Sequence, residues 1–221
     1  LWGDYRRTVK KFKYTYKRCR ASLKIFRNED AFVRNQKVQE FLKNQELEGK
    51  FKVYFFDETR ASLTPNIPHT WHTVGETIEI PSKRSKRLNI LGFINRGNDG
   101  FFHFVESSVK SSDVIHAFDL FSARYAKEYA KTKVPCLVVL YNASIHHSIE
   151  FKAQIDGWMA QVICLHYLQT YSPELNLIEI LWRKIKYEWM SMSAYKTYGP
   201  LTSSIKNIIN LFGIKHRIIF G

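Results

Sequence analysis

Val53-Tyr54-Phe55-Phe56-Asp57-Glu58-Thr59 decides the fold. Four large residues of high strand propensity run straight into two acids and a threonine. An apolar run this short, closed by polar residues, reads as a buried strand rather than a helix. The strand is expected to end at Asp57, which delivers a carboxylate to the edge of a sheet, where ligands commonly sit in α/β proteins.

Downstream, residues 62–76 hold Pro65, Pro68, Trp71 and Gly75 and read as a loop, followed by a short strand at 77–80. Strands are expected at 88–95 and 100–106, joined by the turn Arg96-Gly97-Asn98-Asp99. Ser112 or Asp113 looks like the N-cap of a helix reaching about Lys131, with Val114, Phe118, Phe121 and Tyr125 at helical spacing. A continuous apolar strand is expected at 134–141, a helix from about Ser148, and another strand at 162–168. After the loop from Gln169 to Asn176 comes an amphipathic helix with Ile178, Leu181, Trp182, Ile185 and Trp189 as its stripe. A last helix at 201–212 is expected to end at Gly213 in the capping position. Upstream, residues 30–50 carry a mixed-charge helical pattern with Phe32, Val33, Val38, Phe41 and Leu42 as apolar positions. An early meander followed by alternating helices and strands implies antiparallel strands joined to parallel ones by right-handed crossovers. The expected class is α/β, a mixed five-stranded sheet flanked by helices, which is the architecture of ribonuclease H-like nucleases.

Thirty-four Lys and Arg against 20 Asp and Glu give a formal charge of +14, and that excess favours a polyanionic partner, nucleic acid first. No run of eighteen apolar residues exists, so no membrane span is expected, and the start lacks the apolar core of a signal peptide. Cys19, Cys136 and Cys164 are far apart and odd in number, which fits reduced thiols of a cytoplasm. Adjacent His146 and His147 point apart on a regular element and read as a surface or helix-start pair rather than ligands. Residues 1–27 interleave Arg6, Arg7, Lys10, Lys11, Lys13, Lys17, Arg18 and Arg20 with Tyr5, Phe12, Tyr14 and Tyr16. That mixture suits a phosphate-binding arm, as well as a solvated tail. Lys83, Arg84, Lys86 and Arg87 form a second basic run at a turn, and Arg183, Lys184 and Lys186 a third on or beside the amphipathic helix. All three are candidate DNA-backbone contacts.

Phosphodiester cleavage in such a fold uses two divalent cations about 4 Å apart. Mg²⁺ takes hard oxygen ligands, so several carboxylates must converge on one spot. Asp57 is the natural first ligand and Glu179 the natural last. A glycosidase-like carboxylate pair is a lower-ranked reading of the same two acids.

Three blocks of text carry a resemblance: Phe55-Phe56-Asp57-Glu58-Thr59, then Val138-Val139-Leu140-Tyr141-Asn142 with His146 and His147, then Tyr171-Ser172-Pro173-Glu174-Leu175-Asn176 with Glu179 and Trp182. With Thr64, Pro65, Trp71 and the strand at 88–93, they resemble the catalytic blocks of bacterial insertion-sequence transposases of the mariner superfamily, over about residues 50–215. The resemblance implies a DDE-type transposase, a Mg²⁺-dependent DNA endonuclease and strand transferase that also accepts Mn²⁺, with Asp57 and Glu179 as metal-holding catalytic acids. It implies double-stranded DNA as partner, a homodimer as a possible assembly, and a cytoplasmic, nucleoid-associated location. Where the family has its second aspartate, this chain has Tyr141, a phenol with an ordinary pKa near 10 that brings no charge at pH 7. Gln169-Thr170 stands where the family usually has prolines. Before the catalytic blocks only Tyr16-Lys17-Arg18-Cys19-Arg20 resembles the end of the family's helix-turn-helix modules. The organisation expected is therefore a basic remnant of a DNA-binding region with a connecting helix at 1–50 and the catalytic domain at 51–221. The expected function is a transposase impaired at Tyr141. The alternatives are a non-catalytic DNA-binding derivative that interferes with or regulates a related element, and a decayed gene product.

Overall fold

In a computed structural model of the chain, residues 26–65, 79 and 86–220 are described. The arm from Arg6 to Arg20, Lys83, Arg84 and all but Glu79 of the strand expected at 77–80 lie outside them. Five strands form one sheet: β1 (Lys52–Ala61), β2 (Leu88–Asn95), β3 (Gly100–Val105), β4 (Cys136–Tyr141) and β5 (Ile163–Leu168), in the order β3-β2-β1-β4-β5. β1, β2 and β3 pair antiparallel, while β4 lies parallel to both β1 and β5. The helices are α1 (Glu29–Leu47), α2 (Ser111–Thr132), α3 (Ile149–Lys152), α4 (Ile155–Ala160), α5 (Ile178–Lys184) and α6 (Tyr198–Asn210). This is the mixed, helix-flanked sheet of the ribonuclease H-like architecture.

The period of two along β1 splits the core. Tyr54 and Phe56 turn to one face, where α2, α3 and α4 supply Phe118, Phe121, Phe151 and Trp158. Val53 and Phe55 turn to the other, where α5 and α6 supply Ile178, Leu181, Trp182, Leu201 and Ile205. α1 is tied to the sheet by its Glu46, which binds the Arg96 guanidinium at 2.6 Å and accepts from the Val53 amide at 3.3 Å.

Several boundaries differ from the sequence reading. β1 does not stop at Asp57 but continues to Ala61, because β2 pairs with it throughout and Asp57 lies opposite Gly92. What stops is the parallel ladder to β4, at Phe55 opposite Val139. α2 starts at Ser111, and Asp113 is not its N-cap but sits in its first turn, accepting from the Lys110 amide at 2.8 Å. Of the five apolar positions assigned to α1, only Phe32 and Leu42 are buried; Val33, Val38 and Phe41 face solvent. Ser148 does cap a helix, accepting from the Phe151 amide at 3.2 Å, but that helix is two short pieces, α3 and α4. α5 loosens after Lys184 into a π-helical turn, Ile185–Trp189, which keeps Ile185 buried. α6 ends at Asn210, before Gly213. Gly213 has φ +81°, and a Cβ there would lie 2.4 Å from the Asn98 carbonyl oxygen, so the turn needs glycine. His146 is buried rather than on the surface, its Nδ1 2.7 Å from the Tyr141 carbonyl oxygen. Cys136 is buried, Cys164 is half-buried, and both are free thiols. Among the described residues no helix is long and apolar enough to cross a membrane.

Candidate active site

The site forms where β1 and β4 part. β1 stays paired with β2 as far as Ala61, whereas β4 ends at Tyr141, paired on its far side with Leu168 of β5. Asp57 therefore stands beside an opening in the sheet, two residues past the last pair of the parallel ladder. The loop after β5 closes over this opening. It carries Tyr171 at φ +60°, fully buried Ser172, and the single 3₁₀ turn Pro173–Leu175. Asn176 ends it, 1% exposed, and donates its Nδ2–H to the Phe56 carbonyl oxygen at 2.9 Å. The Asn176 carbonyl then accepts from the Glu179 amide at 3.1 Å, which starts α5 with Glu179 in its first turn.

Glu179, Trp182 and Lys186 recur at helical spacing and face one cleft of about 600 Å³ with Asp57, Arg60 and Asn89. The Trp182 indole donates to Asp57 Oδ2 at 3.2 Å, and the Tyr141 hydroxyl donates to Glu179 Oε1 at 3.3 Å. A second polar groove of about 360 Å³ shares Glu58, Arg60 and Asn89 and adds Arg87 and Glu106.

The electrostatics follow from crowding two acids in a partly dry opening. Burial, then repulsion from Glu179, pushes the Asp57 carboxyl up to about 8, against smaller opposing effects of the Glu58 backbone and the Trp182 N–H. Burial raises Glu179 as well, with the Tyr141 hydroxyl and Lys186 pulling the other way. Lys186 is lowered by burial, while both acids favour its charged form. The Tyr141 phenol is raised by burial and then by Glu179 and Asp57, so it stays neutral.

Asp57 and Glu179 bring carboxyl oxygens to one cleft, donors of the hard kind that a Mg²⁺ ion takes. Among the described residues no three His, Cys, Asp or Glu converge into one group. Tyr141 stands beside the two acids as a neutral phenol whose hydroxyl donates a hydrogen bond to Glu179.

Of the basic candidates, Lys86 and Arg87 are exposed, and Arg87 lines the second groove. Arg183 is exposed, and Lys184 is tied to Glu188 at 2.5 Å. Lys186 lies in the cleft with the acids rather than on the outer face. The sequence reading missed the polar roles of Trp182 and Asn176, the notch at Gly92 and the position of Arg60. The spacing of Trp182, three residues after Glu179, was the available signal, because it puts both on one face.

The family described as DDE superfamily endonuclease matches residues 52–202. The fold is similar to that of the Mos1 transposase paired-end complex with left transposon end, at TM-score 0.65 and 12% identity over 97% of this chain and 63% of that one. It is similar also to the Mos1 mariner paired end complex with Mn, at TM-score 0.58 and 13% identity over 94% and 63%. The catalytic domain of Mos1 mariner transposase gives TM-score 0.53 and 13% identity over 86% of this chain and 84% of that domain. At such identities the likeness is one of fold, and the chain spans 63% of the first of these relatives. No curated protein matches the sequence. The strand bearing Asp57, the strand ending at Tyr141 and the helix bearing Glu179 all fall within the matched segment, and the chain belongs to the DDE superfamily of endonucleases.

Proposed function

We propose that the chain derives from a bacterial insertion-sequence transposase of the mariner superfamily and that its DNA-cutting centre is impaired. The observation that carries this reading is Tyr141, a neutral phenol at the end of β4 that donates to Glu179 where a third carboxylate would have to converge. Asp57 and Glu179 would hold a single Mg²⁺ or Mn²⁺. Such a cation supplies Lewis-acid activation of a water and of a leaving oxygen. The chain's own part is to orient the two acids through Trp182 and Tyr141 and to bring the positive charges of Arg60 and Lys186 to the same cleft. The substrate is double-stranded DNA of the nucleoid, met by a catalytic domain at 51–221 with a basic DNA-binding remnant and connecting helix at 1–50, in a homodimer.

Plasmid nicking with Mg²⁺ or Mn²⁺ tests the reading. Tyr141→Asp is expected to cut on the order of 100-fold faster than the unaltered chain, the scale of removing or restoring one group that stabilises the reacting charge. Adding Asp57→Ala should abolish the gain. Equal cutting by the unaltered chain and Tyr141→Asp, with Asp57→Ala silencing both, sinks the claim of impairment.

A second reading is a non-catalytic DNA-binding derivative that interferes with a related element. It is favoured by the +14 charge and by Arg60 and Arg87, which line the grooves and make no ion pair among the described residues. Metal-independent duplex binding that weakens steeply with salt, together with no nicking by Tyr141→Asp, selects it over the first.

A further inference from the structure

Asn176, Trp182 and Gly92 form one unit. The segment that carries Glu179 touches the strand that carries Asp57 through two polar tethers on consecutive β1 residues. Asn176 binds the Phe56 carbonyl oxygen at 2.9 Å, and Trp182 binds Asp57 Oδ2 at 3.2 Å. Glu179 lies between them in sequence, three residues from each. Both tethering side chains are almost wholly buried, Asn176 at 1% and Trp182 at 2% exposure, which strengthens both bonds. Asn176 Oδ1 has no partner among the described residues. An apolar residue would avoid leaving that atom unsatisfied, so the Nδ2 tether is what asparagine gains the site.

The indole reaches Asp57 only because β2 lacks a side chain opposite it. Gly92 pairs with Asp57 across the ladder, and a Cβ there would lie 2.7 Å from Trp182 Cη2, 2.9 Å from Cζ2 and 3.0 Å from Ile178 Cδ1. Carbon atoms do not approach so closely, and the nearest atoms belong to a rigid ring, so the ring would have to move. Gly92 is thus a notch that lets a core tryptophan cross β2 edge-on and present its N–H to the acid.

We infer that Trp182, Asn176 and the Gly92 notch are positioning residues, which fix the Asp57 carboxylate relative to Glu179 so that the two acids present one cation-binding mouth. This rests on the reading of Asp57 and Glu179 as the cation-holding pair. Trp182 acts through Asp57, to which it gives its N–H. A phenylalanine there keeps most of the packing and loses the donor.

The test uses the full chain carrying Tyr141→Asp and follows Mn²⁺ affinity by the electron-paramagnetic signal of the free ion. Trp182→Phe should weaken Mn²⁺ binding about tenfold, the low end of what loss of a ligand-orienting hydrogen bond costs, with its thermal midpoint close to that of the parent. Gly92→Ala should weaken it similarly when Trp182 is present and add little in Trp182→Phe, since the two nearest ring atoms are then gone and only the Ile178 methyl, at 3.0 Å, must give way. That non-additivity is a signature a merely structural glycine does not give. Mn²⁺ affinity within twofold of the parent in Trp182→Phe overturns the inference. If Tyr141→Asp binds no Mn²⁺ at all, the cation reading of the pair fails, and the positioning is decided by a crystal structure of Trp182→Phe. An Asp57 carboxylate turned away from Glu179 then supports it, and an unmoved one overturns it.

Discussion

The two faces of β1 are equally buried and chemically opposite. On the Tyr54–Phe56 face, rings meet rings: Phe93 stacks on Phe121 at 4.2 Å, Phe56 meets Phe118 at 4.8 Å, and Phe118 stacks on Trp158 at 4.8 Å. Each ring has several neighbours, and the polar ends have partners of their own, Trp158 on Asp119 at 2.8 Å and Tyr125 on the Val134 carbonyl at 2.9 Å. The Val53–Phe55 face begins just as apolar, then two residues on carries Asp57, to which Trp182 turns its N–H. The aromatic face holds the sheet rigid, while the other puts two acids into an environment that disfavours their charge. A ring removed from the first should therefore cost more than a change at either acid beside the second. Phe93→Ala is expected to lose about 3–5 kcal/mol, the usual range for truncating a buried phenylalanine, read from urea midpoints. A loss below about 1 kcal/mol would mean that the rings do not act as the rigid base.

Asp57→Asn sharpens the contrast in the opposite direction, because it should stabilise the fold. The folded carboxyl titrates at about 8 and the unfolded one near 3.8. Below about pH 4 both are protonated and Asp57 costs nothing. Between these values the unfolded chain releases a proton that the folded chain keeps, so stability falls as pH rises and levels off above about 8. The limiting slope is about 1.4 kcal/mol per pH unit, and water in the open cleft holds the measured slope below it. Asp57→Asn lacks this loss, so its advantage should be small at pH 5 and largest at pH 8.5. Parallel stability profiles for the two chains between those pH values would show that Asp57 ionises freely in the folded state.

The same difference between faces explains what could be read from sequence. The five strands, the hairpin at Arg96 to Asp99 and the helix carrying Glu179 were legible because burial imposes a period, and a period survives in a string of letters. The end of β1 was not: Glu58-Thr59-Arg60 is too polar to resemble a buried strand, and only its pairing with β2 extends it to Ala61. Trp182 was legible as core and illegible as a donor, since a hydrophobic stripe says where a ring goes but not where its N–H points. Gly92 looked like any residue of an apolar strand, and its purpose exists only against a ring from residue 182. The exposed side of α1, with Val33, Val38 and Phe41, was misread for the converse reason: apolar residues at near-helical spacing do not prove that anything covers them.

The smallest expected effect separates two lysines of one helical run. Lys184 already has a carboxylate four residues on, Glu188 at 2.5 Å, outside the cleft. Its removal should change stability by about 0.2–0.5 kcal/mol and leave DNA binding nearly as it was. Lys186 faces Asp57 and Glu179 with Arg60 nearby. Taking it away removes a positive charge from the cleft and leaves two acids there to repel a phosphate. Lys186→Gln should therefore weaken duplex binding and reduce the slope of log affinity against log salt by about one, whereas Lys184→Gln should keep the slope of the parent. Fluorescence anisotropy over a salt series measures both. Equal slopes for the two variants would place the DNA backbone away from the cleft, and the acid-bearing face of β1 would then have lost its claim to the substrate.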